Sequence, residues 1–566
     1  MIGLNYFKES MTMAKEKDNL MEKIVSLCKR RGFIYPASEI YGGFANAFDY
    51  GPLGSQMKKN LKDEWWKKFV LERDDIVGLD SAIIQNPKTW EASGHLSSFS
   101  DPMVECKKCH NRFRLDKLLE EISGLTLDEA YHTFLVEWWN DLKSRLDQTK
   151  ESANEETKIL AKEAEKIREE MVKEGVSKKE IKHSDAEFKE KHLLEYSFTS
   201  FDSLHAETQE FIRISKEGIS SYLEYLVSTF RLVCSSCGNR EFTHPKDFNL
   251  MFKTYVGPME DSSSIAYLRP ETAQGIFLNF KNVMQSTRVK IPFGIAQIGK
   301  AFRNEITPGN FTFRTREFEQ GEIEFFIKPI SSESEKWYKK WLGLWKDFFI
   351  DLSLTEKKLT IREHAKEELS HYSSGTSDLE YKFPFGVSEL AGVAQRTDFD
   401  LKSHQDKSGQ DLRFFDEQTG ERYTPFVVEP TMGIDRATLA FLVDAYDESD
   451  GKDGREKGEV TLRLNPKLAP IKVAVFPLVK KEGLPDIAQG IIRELRKSGI
   501  ASYYDESGSV GRRYRRQDEI GTPWCITVDF DSLKDGAVTV RDRDSMKQER
   551  IKTIDVLSYI EKELQK

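Results

Sequence analysis

Cysteine is scarce in this chain, with six among 566 residues. That is too few for a disulfide scaffold at this length. Long apolar runs are missing as well, and none approaches the ~18 residues of a membrane-spanning helix. The opening residues, MIGLNYFKESMTMAKEKDN, lack the basic-then-apolar layout of a secretory signal. They are expected to form a flexible lead-in over 1–19, with Met13 as an alternative start. Positive charge is not in excess either. The net charge is −9, which argues against an indiscriminate nucleic-acid binder while leaving room for a local basic face. There is no Gly-rich Walker loop and no GxGxxG, so any bound phosphate must be held in another way.

What is present is the composition of a soluble, core-forming protein, 39% hydrophobic and 32% charged. The length suits roughly three or four domains. In SQMKKNLKDEWWKKFVLE (55–72), Met57, Leu61, Trp65 and Phe69 lie four apart and predict one helical stripe, with Gly51-Pro52 as a breaker ahead of it. A β-rich run, DIVGLDSAII, follows and ends near Pro87. Between 150 and 191, 23 of 42 residues are charged. Leu160, Ala164, Ile167 and Met171 step 4-3-4 as a short heptad-like seam, and Glu169 pairs with Lys173 at i,i+4. These features predict charged helices projecting from the body, either a solvated insertion or an RNA-contacting arm. From 241 to 445, the runs FGIAQIGKAFR, EIEFFI and PFVVEP predict an antiparallel sheet. Residues 447–459 read as a polar loop.

From Ile471, strand and helix patterns alternate, which predicts a compact α/β domain. DIAQGIIRELRKSG is an amphipathic helix stopped by Gly499. Residues 471–566 hold 18 Lys and Arg against 16 Asp and Glu, a local +2 in a −9 chain. RRYRRQ (512–517) sets four arginines around one tyrosine. A solvated charge run is the default reading. Arginine beside an aromatic ring also suits RNA phosphates and unstacked bases.

Four of the six cysteines form two CxxC pairs, Cys106/Cys109 and Cys234/Cys237. Four thiolates suit tetrahedral zinc, since each short turn lets both sulfurs reach one ion. Zinc would staple together the ends of the intervening insertion. The 124-residue gap between the pairs exceeds that of a simple zinc ribbon. Plain thiols, and His110 as a substitute ligand, therefore stay open. Redox catalysis does not fit, because neither pair opens a βαβ unit.

Three stretches interleave Arg, Glu and Gly: FRNEITPGNFTFRTREFEQGE (302–322), SELAGVAQRTDFDL (388–401) and VVEPTMGIDRATLAFLV (427–443). Such charges are costly to bury unless each has a partner. Arginine grips phosphate oxygens with two donors at once. Carboxylates can hold a substrate ammonium or the metal ions of a nucleotide. Phe318 can stack on a purine with an arginine on its other face. A substrate site of mixed charge explains the interleaving, and an ion-pair network on a sheet face is the plainer alternative.

These stretches resemble the class II aminoacyl-tRNA synthetases. FRNE…FRTREFEQ is similar to their motif 2, and GIDR ahead of a helix to motif 3. The 55–71 helix, with the strand after it and Pro87, is similar to motif 1, the dimer-forming element. EIYGGFANAFDYGPLG, WEASGH, YLRPETAQGIF and GTPWCITVDFDSL…AVTVRDRDSMKQ resemble the homodimeric glycyl kind in particular. The likeness spans roughly 20–105 and 241–566 and weakens in the charged insertion.

The resemblance implies an α+β protein: a class II antiparallel β-sheet catalytic core, a helical zinc-bearing insertion and a C-terminal α/β anticodon-binding domain. The implied boundaries are 20–105 and 241–470 for the core, 106–240 for the insertion and 471–566 for the last domain. The implied reaction is ATP-dependent attachment of glycine to tRNA(Gly) through glycyl-adenylate, by a cytoplasmic homodimer with no membrane partner. Arg303, Glu305 and Arg436 would be catalytic. Arg303 would grip the α-phosphate and the glycine carboxylate, and Glu305 would read the adenine amino group. Phe318 and Arg436 would sandwich the adenine ring, and Arg314 or Arg316 would hold the outer phosphates. Glu389 would hold Mg2+ with the ATP. Asn304, Phe313, Thr315, Glu317, Leu390, Gly433, Ile434 and Asp435 complete the implied nucleotide site.

Glu271, Glu322 and Glu429 would receive the glycine ammonium. Around them the resemblance sets Phe318, Glu319, Gln320, Gly321, Pro430, Thr431, Met432 and Gly433, with Arg114 reaching in from the insertion. Two departures stand beside this pocket: Thr431-Met432 where a small residue is expected after Glu-Pro, and Gly321 where a bulkier one is. Thr431 and Met432 should tighten the pocket if they point inward, and Gly321 should loosen it. Two other functions fit the same fold. One is a class II synthetase for another amino acid, such as proline or threonine. The other is a non-catalytic, nucleic-acid-binding relative, which should have lost Arg303, Glu305, Glu389 and Arg436; all four are present.

Overall fold

The computed structural model describes residues 20–115, 117–119, 232–243, 246–306, 309–365, 369, 373–452 and 454–565. The expected lead-in, the 160–171 seam and the Glu169–Lys173 pair lie outside the described residues. The chain forms two compact units. One comprises 1–95, 251–364 and 369–566, and the other 96–250 with 365–368.

The first unit opens with helix α1 (20–31) and a hairpin of β1 (Ile34–Pro36) and β2 (Phe48–Tyr50). Helix α2 (Pro52–Trp66) starts on Pro52, a position whose N–H has no intrahelical partner to lose. It buries Met57, Leu61 and Trp65. Phe69, the fourth member of the predicted stripe, is buried in a π turn over Lys67–Leu71. The stripe therefore holds, although the regular helix ends at Trp66. After it come β3 (Ile76–Gly78), β4 (Ile84–Gln85) and α3 (Pro87–Ala92).

In the second unit, β5 (Ser100–Glu105) pairs with both β6 (Arg112–Arg114) and β7 (Lys246–Asn249). A hydrogen-bonded ladder is not divided between units, so this unit extends several residues beyond the 106–240 expected from the sequence at each end.

The first unit resumes with β8 (Lys253–Tyr255), β9 (Ile265–Leu268), helix α4 (Ala273–Thr287), β10 (Phe293–Phe302) and β11 (Glu317–Ile327). Helix α5 (Ser331–Asp351) leads to β12 (Leu359–Glu363), β13 (Thr376–Phe383) and β14 (Gly386–Thr397). Helix α6 (Phe399–Ser408), the hairpin β15 (Phe414–Phe415) and β16 (Arg422–Tyr423), β17 (Phe426–Gly433) and α7 (Ile434–Ala445) follow. The central sheet runs β12-β13-β14-β17-β11-β10-β3, antiparallel except for the β10–β3 pair.

Successive side chains of a strand point to opposite faces. On one face of the sheet, Ile323, Phe325, Val428 and Met432 share a core with Trp65, Trp337, Trp341 and Trp345. On the other, Phe326, Phe293 and Ile295 pack with Ile276, Phe277 and Phe280 of α4. The polar positions Gln320, Glu322 and Glu324 project from that second face.

Strand β18 (Tyr446–Glu448) pairs with β19 (Val460–Leu462), so the polar loop begins two residues later than predicted. The C-terminal sheet contains β20 (Val473–Pro477), β21 (Ser502–Tyr504), β22 (Trp524–Val528), β23 (Ala537–Asp542) and β24 (Gln548–Lys552). Its order is β21-β20-β22-β23-β24, with β20 parallel to both its neighbours. Helices α8 (Leu484–Lys497), α9 (Val510–Asp518) and α10 (Val556–Gln565) complete this α/β layer structure. Gly499 sits at φ 76° just past α8, a conformation that suits glycine.

The RRYRRQ segment lies on α9, and the solvated-run reading fails for one of its arginines. Arg513 is buried and donates to the carbonyls of Pro477 at 2.6 Å and Gly508 at 2.8 Å. Arg515 pairs with Glu456 at 2.8 Å, and Arg516 with Asp505 at 2.5 Å. Arg512 is exposed and has no ion-pair partner among the described residues.

Candidate active site

The three Arg–Glu–Gly stretches bring β14, β17 and β11 side by side. In the β11–β17 register, Gln320 faces Gly433, Gly321 faces Met432 and Glu322 faces Thr431. On the Gln320–Glu322 face opens a cleft of about 290 Å³. Its lining includes Arg303, Glu305, Phe313, Arg314, Thr315, Phe318 and Glu319, with Gln320, Glu389, Gly433, Asp435 and Arg436. Glu271, Glu322, Glu429 and Thr431 line the same cleft. Most residues expected at the site from the sequence are thus brought together.

Several are not. Gly321 faces the other side of the sheet, where an added Cβ would meet Trp65 at 3.1 Å. Met432, its cross-strand neighbour, is 1% exposed in that same core. Strand alternation therefore carries both away from the pocket that they were expected to loosen and tighten. Leu390 and Ile434 also lie in that core. Pro430 is buried one step from Glu429 and so points away from the cleft by the same alternation. Glu317 is exposed and pairs with Lys300 at 2.5 Å. Asn304 is not among the lining residues. Arg114 belongs to the second unit, where it lies 3.1 Å from Asp101.

The arginines divide by their partners. Arg316 donates to the carbonyls of Glu305 at 3.0 Å and Ala45 at 2.9 Å, which fixes the turn between β10 and β11. Arg314 lines the cleft, and its guanidinium has no partner among the described residues. Arg303 donates to the carbonyl of Pro270 at 3.1 Å and lies 5.4 Å from the centre of the Phe318 ring. Arg436 lies over Phe313 at 4.5 Å and pairs with Glu389 at 2.7 Å. The Arg436 guanidinium beside Glu389 holds that carboxyl below its usual range. Arg303 thus lies over Phe318, and Arg436 over Phe313.

The carboxylates form a buried cluster around a single guanidinium. Arg396, 1% exposed, grips Asp400 through two bonds of 2.8 and 2.9 Å and reaches Glu429 at 3.0 Å. Glu322 accepts from the Thr272 backbone N–H at 3.0 Å and from the Thr272 hydroxyl. Glu271 accepts from Gln274 at 2.9 Å and lies 3.5 Å from His95. Burial pushes the Glu271 carboxyl up, but His95 and Arg396 outweigh it and the group stays well below the usual range. Burial, then the charge of Glu271, pushes Glu322 up. The concentration of negative charge suits a cationic ligand group.

Arg396, Asp400, His95, Thr272 and Gln274 were missed as site residues. The Arg396–Asp400 spacing was visible within the RTDFD text, but its partner Glu429 comes from another strand. His364 and Asp378 were missed too. They are 2.7 Å apart and line the cleft near Glu389, whose charge, after burial, pushes the Asp378 carboxyl up.

In the second unit, the four CxxC sulfurs lie within 4.8 Å of one another. Cys106 Sγ is 3.6 Å from Cys237 Sγ, and Cys109 Sγ is 3.5 Å from Cys234 Sγ. Four sulfurs around one zinc at about 2.3 Å each would stand roughly 3.8 Å apart. Backbone hydrogen bonds, from Cys109 first, hold the Cys106 thiol at about 6, favouring the thiolate. The donor set and its spacing fit zinc. His110 turns instead to Glu105 at 3.0 Å.

Comparison with known proteins extends the picture along the chain. Residues 258–446 match the family described as tRNA synthetase class II core domain (G, H, P, S and T), and residues 472–563 match an anticodon binding domain. A solved prolyl-tRNA synthetase of Cryptosporidium parvum, complexed with halofuginone and AMPPNP, shares the fold at 12% identity and a TM-score of 0.53. That likeness covers 96% of this chain and 75% of the other. The glycine–tRNA ligase of Alkaliphilus oremlandii is 49% identical over 554 residues, 98% of this chain and 100% of the relative. That of Geobacillus thermodenitrificans is 48% identical over 544 residues, 96% and 97% of the two chains. Identity close to one half over nearly the full length of both partners places this chain in the glycine–tRNA ligase family of class II aminoacyl-tRNA synthetases.

Proposed function

We propose that the cleft makes glycyl-adenylate and then passes the glycyl group to tRNA. Family membership carries the overall reaction, ATP-dependent attachment of glycine to tRNA. In the first step a glycine carboxylate oxygen bonds to the α-phosphorus of ATP. The bond from that phosphorus to the bridging oxygen breaks, and pyrophosphate leaves. In the second step a ribose hydroxyl at the tRNA terminus attacks the glycyl carbonyl carbon, gives up its proton and displaces AMP. No protein nucleophile is needed, and the chain contributes position and charge neutralisation.

The observation that carries this reading is one cleft shared by arginines and buried carboxylates. Arg303 serves the α-phosphate and the glycine carboxylate. Of the two candidates, Arg314 serves the outer phosphates, since Arg316 is taken up by the carbonyls of Glu305 and Ala45. Phe318 receives one face of the adenine, Arg436 closes the other, and Glu305 reads the amino group. Mg2+ enters with ATP, and Glu389 is the carboxylate offered to it. Glu271, Glu322 and Glu429 receive the ammonium.

Zinc on Cys106, Cys109, Cys234 and Cys237 would hold the base of the insertion together. The chain is proposed to act as a cytoplasmic homodimer through α2, with residues 471–566 reading the anticodon. No helix among the described residues is long and apolar enough to cross a membrane.

Steady-state ATP–pyrophosphate exchange tests this. Glycine is the smallest amino acid, so competitors are excluded by size, at roughly 1–3 kcal/mol per methyl forced into a filled site. Exchange with glycine should exceed that with alanine, serine, proline or threonine by well over tenfold. Arg303→Ala should lower glycine-dependent exchange about 10²-fold, near 3 kcal/mol of transition-state stabilisation. Alanine within tenfold of glycine, or a nearly normal Arg303→Ala enzyme, contradicts the assignment.

A further inference from the structure

Glu324 lies deeper on β11 than Glu322 and on the same face. It is 0% exposed, and neither carboxyl oxygen has a hydrogen-bond partner among the described residues. One carboxylate oxygen from each of Glu322, Glu324 and Glu429 falls within a 4.8 Å cluster. Three buried carboxylates this close cannot all carry charge.

The surroundings decide which of them holds a proton. Glu322 accepts two hydrogen bonds from Thr272, which favour its anion. Glu429 faces Arg396 at 3.0 and 3.1 Å, which favours its anion, although burial pushes its carboxyl well above the usual range too. Glu324 has neither. Across the ladder it meets Ile295 of β10, which offers no charge. The charged groups acting on it are Glu429, Arg396, Glu322 and Asp400, and three of these four are acidic. Burial, followed by the charge of Glu429, pushes its carboxyl well above the usual range.

We propose that Glu324 is a positioning residue for the amino-acid ammonium: a neutral carboxylic acid whose O–H is available to the Glu322–Glu429 pair and holds that pair in place. The proposal rests on reading Glu271, Glu322 and Glu429 as the ammonium site. Glu324 itself touches no substrate. Its proton removes one negative charge from the floor of the pocket and supplies a donor where the sheet offers none.

The test uses the full-length enzyme and its Glu324→Gln and Glu324→Ala variants. Glutamine is neutral and has an N–H donor of similar reach. Glu324→Gln should keep the glycine KM within about twofold, with an unchanged pH profile, whereas Glu324→Ala should raise it about tenfold or more and leave the ATP KM alone. A glutamine variant as impaired as the alanine variant would show that an anion is required, and an alanine variant with normal glycine KM would show no positioning role. Either result overturns the proposal.

Infrared difference spectroscopy supplies a readout that does not depend on glycine. A protonated-carboxyl C=O band should be present in the native enzyme near neutral pH and absent from Glu324→Gln, a variant expected to fold. Absence of the band from the native enzyme overturns the proposal. Glu429→Gln tests the parent reading separately: a normal glycine KM there removes the ammonium assignment, whatever the band shows.

Discussion

Lys58 Nζ lies 2.5 Å from Asp435 Oδ1, which ties helix α2 to the residue just before Arg436. The same ammonium is 2.8 Å from Glu319 and 4.3 Å from the centre of the Tyr50 ring, and Tyr50 donates to Asp435 at 2.6 Å. Removing one member of a buried ion network leaves uncompensated charge, at a cost of about 3–5 kcal/mol. Lys58→Met should lose stability of that order in urea unfolding and raise the KM for ATP more than that for glycine. Lys58→Arg should recover part of both. A Lys58→Met protein with native stability would mean that the network is not held as described.

Acid should weaken this network at a definable point. Burial pushes the Glu319 carboxyl up, but Lys58 and then Lys62 outweigh it, so the folded value lies below the ordinary glutamate range. A depressed carboxyl contributes stability that is present above its unfolded value and is lost as pH falls through the folded one. Glu319→Gln should therefore be less stable than the native protein at neutral pH, with the gap closing below about pH 4.5. Urea midpoints measured across that range decide it, and a gap independent of pH speaks against the linkage.

Gly321 is a packing position. An alanine there meets Trp65 at 3.1 Å on the face away from the cleft. Gly321→Ala should cost roughly 1–3 kcal/mol through overpacking while leaving the glycine-to-alanine exchange ratio within about twofold. A changed amino-acid preference at unchanged stability would return this residue to the pocket.

Arg512 and Arg513 should separate cleanly. Arg512→Ala should leave folding unchanged, weaken tRNA charging and lower the salt dependence of tRNA binding by about one phosphate contact. Arg513→Ala removes the donors to Pro477 and Gly508 and should destabilise the C-terminal domain. Filter binding over a salt series, alongside thermal unfolding, distinguishes the two. Equal loss of stability in both variants would make Arg512 structural as well.

The cysteine cluster predicts about one zinc per chain, with sulfur ligation. Cys106→Ser and Cys237→Ser should each release it and loosen the second unit, as read by proteolysis. Native protein purified without metal, or variants that keep their full content, would leave the four sulfurs as plain thiols.

Local text determined much of this protein. The Met57–Phe69 stripe, the alternation along EIEFFI and the strand–helix rhythm after Ile471 each follow from periodicity within one segment. The CxxC pairs and the Arg–Glu–Gly stretches likewise named most of the cleft and the sulfur cluster, because short spacing is preserved when a chain folds. Tertiary structure decided the rest. Whether Gly321 and Met432 touch the pocket depends on which face of the sheet is buried against Trp65, a residue from a distant helix. Whether Arg314 or Arg316 is available depends on the carbonyls of Glu305 and Ala45. The lysine that holds Asp435 lies 377 residues away in sequence. Charge is neutralised through space by whatever the fold brings near, so a residue's partner, and with it the residue's role, is set by strand register and helix packing.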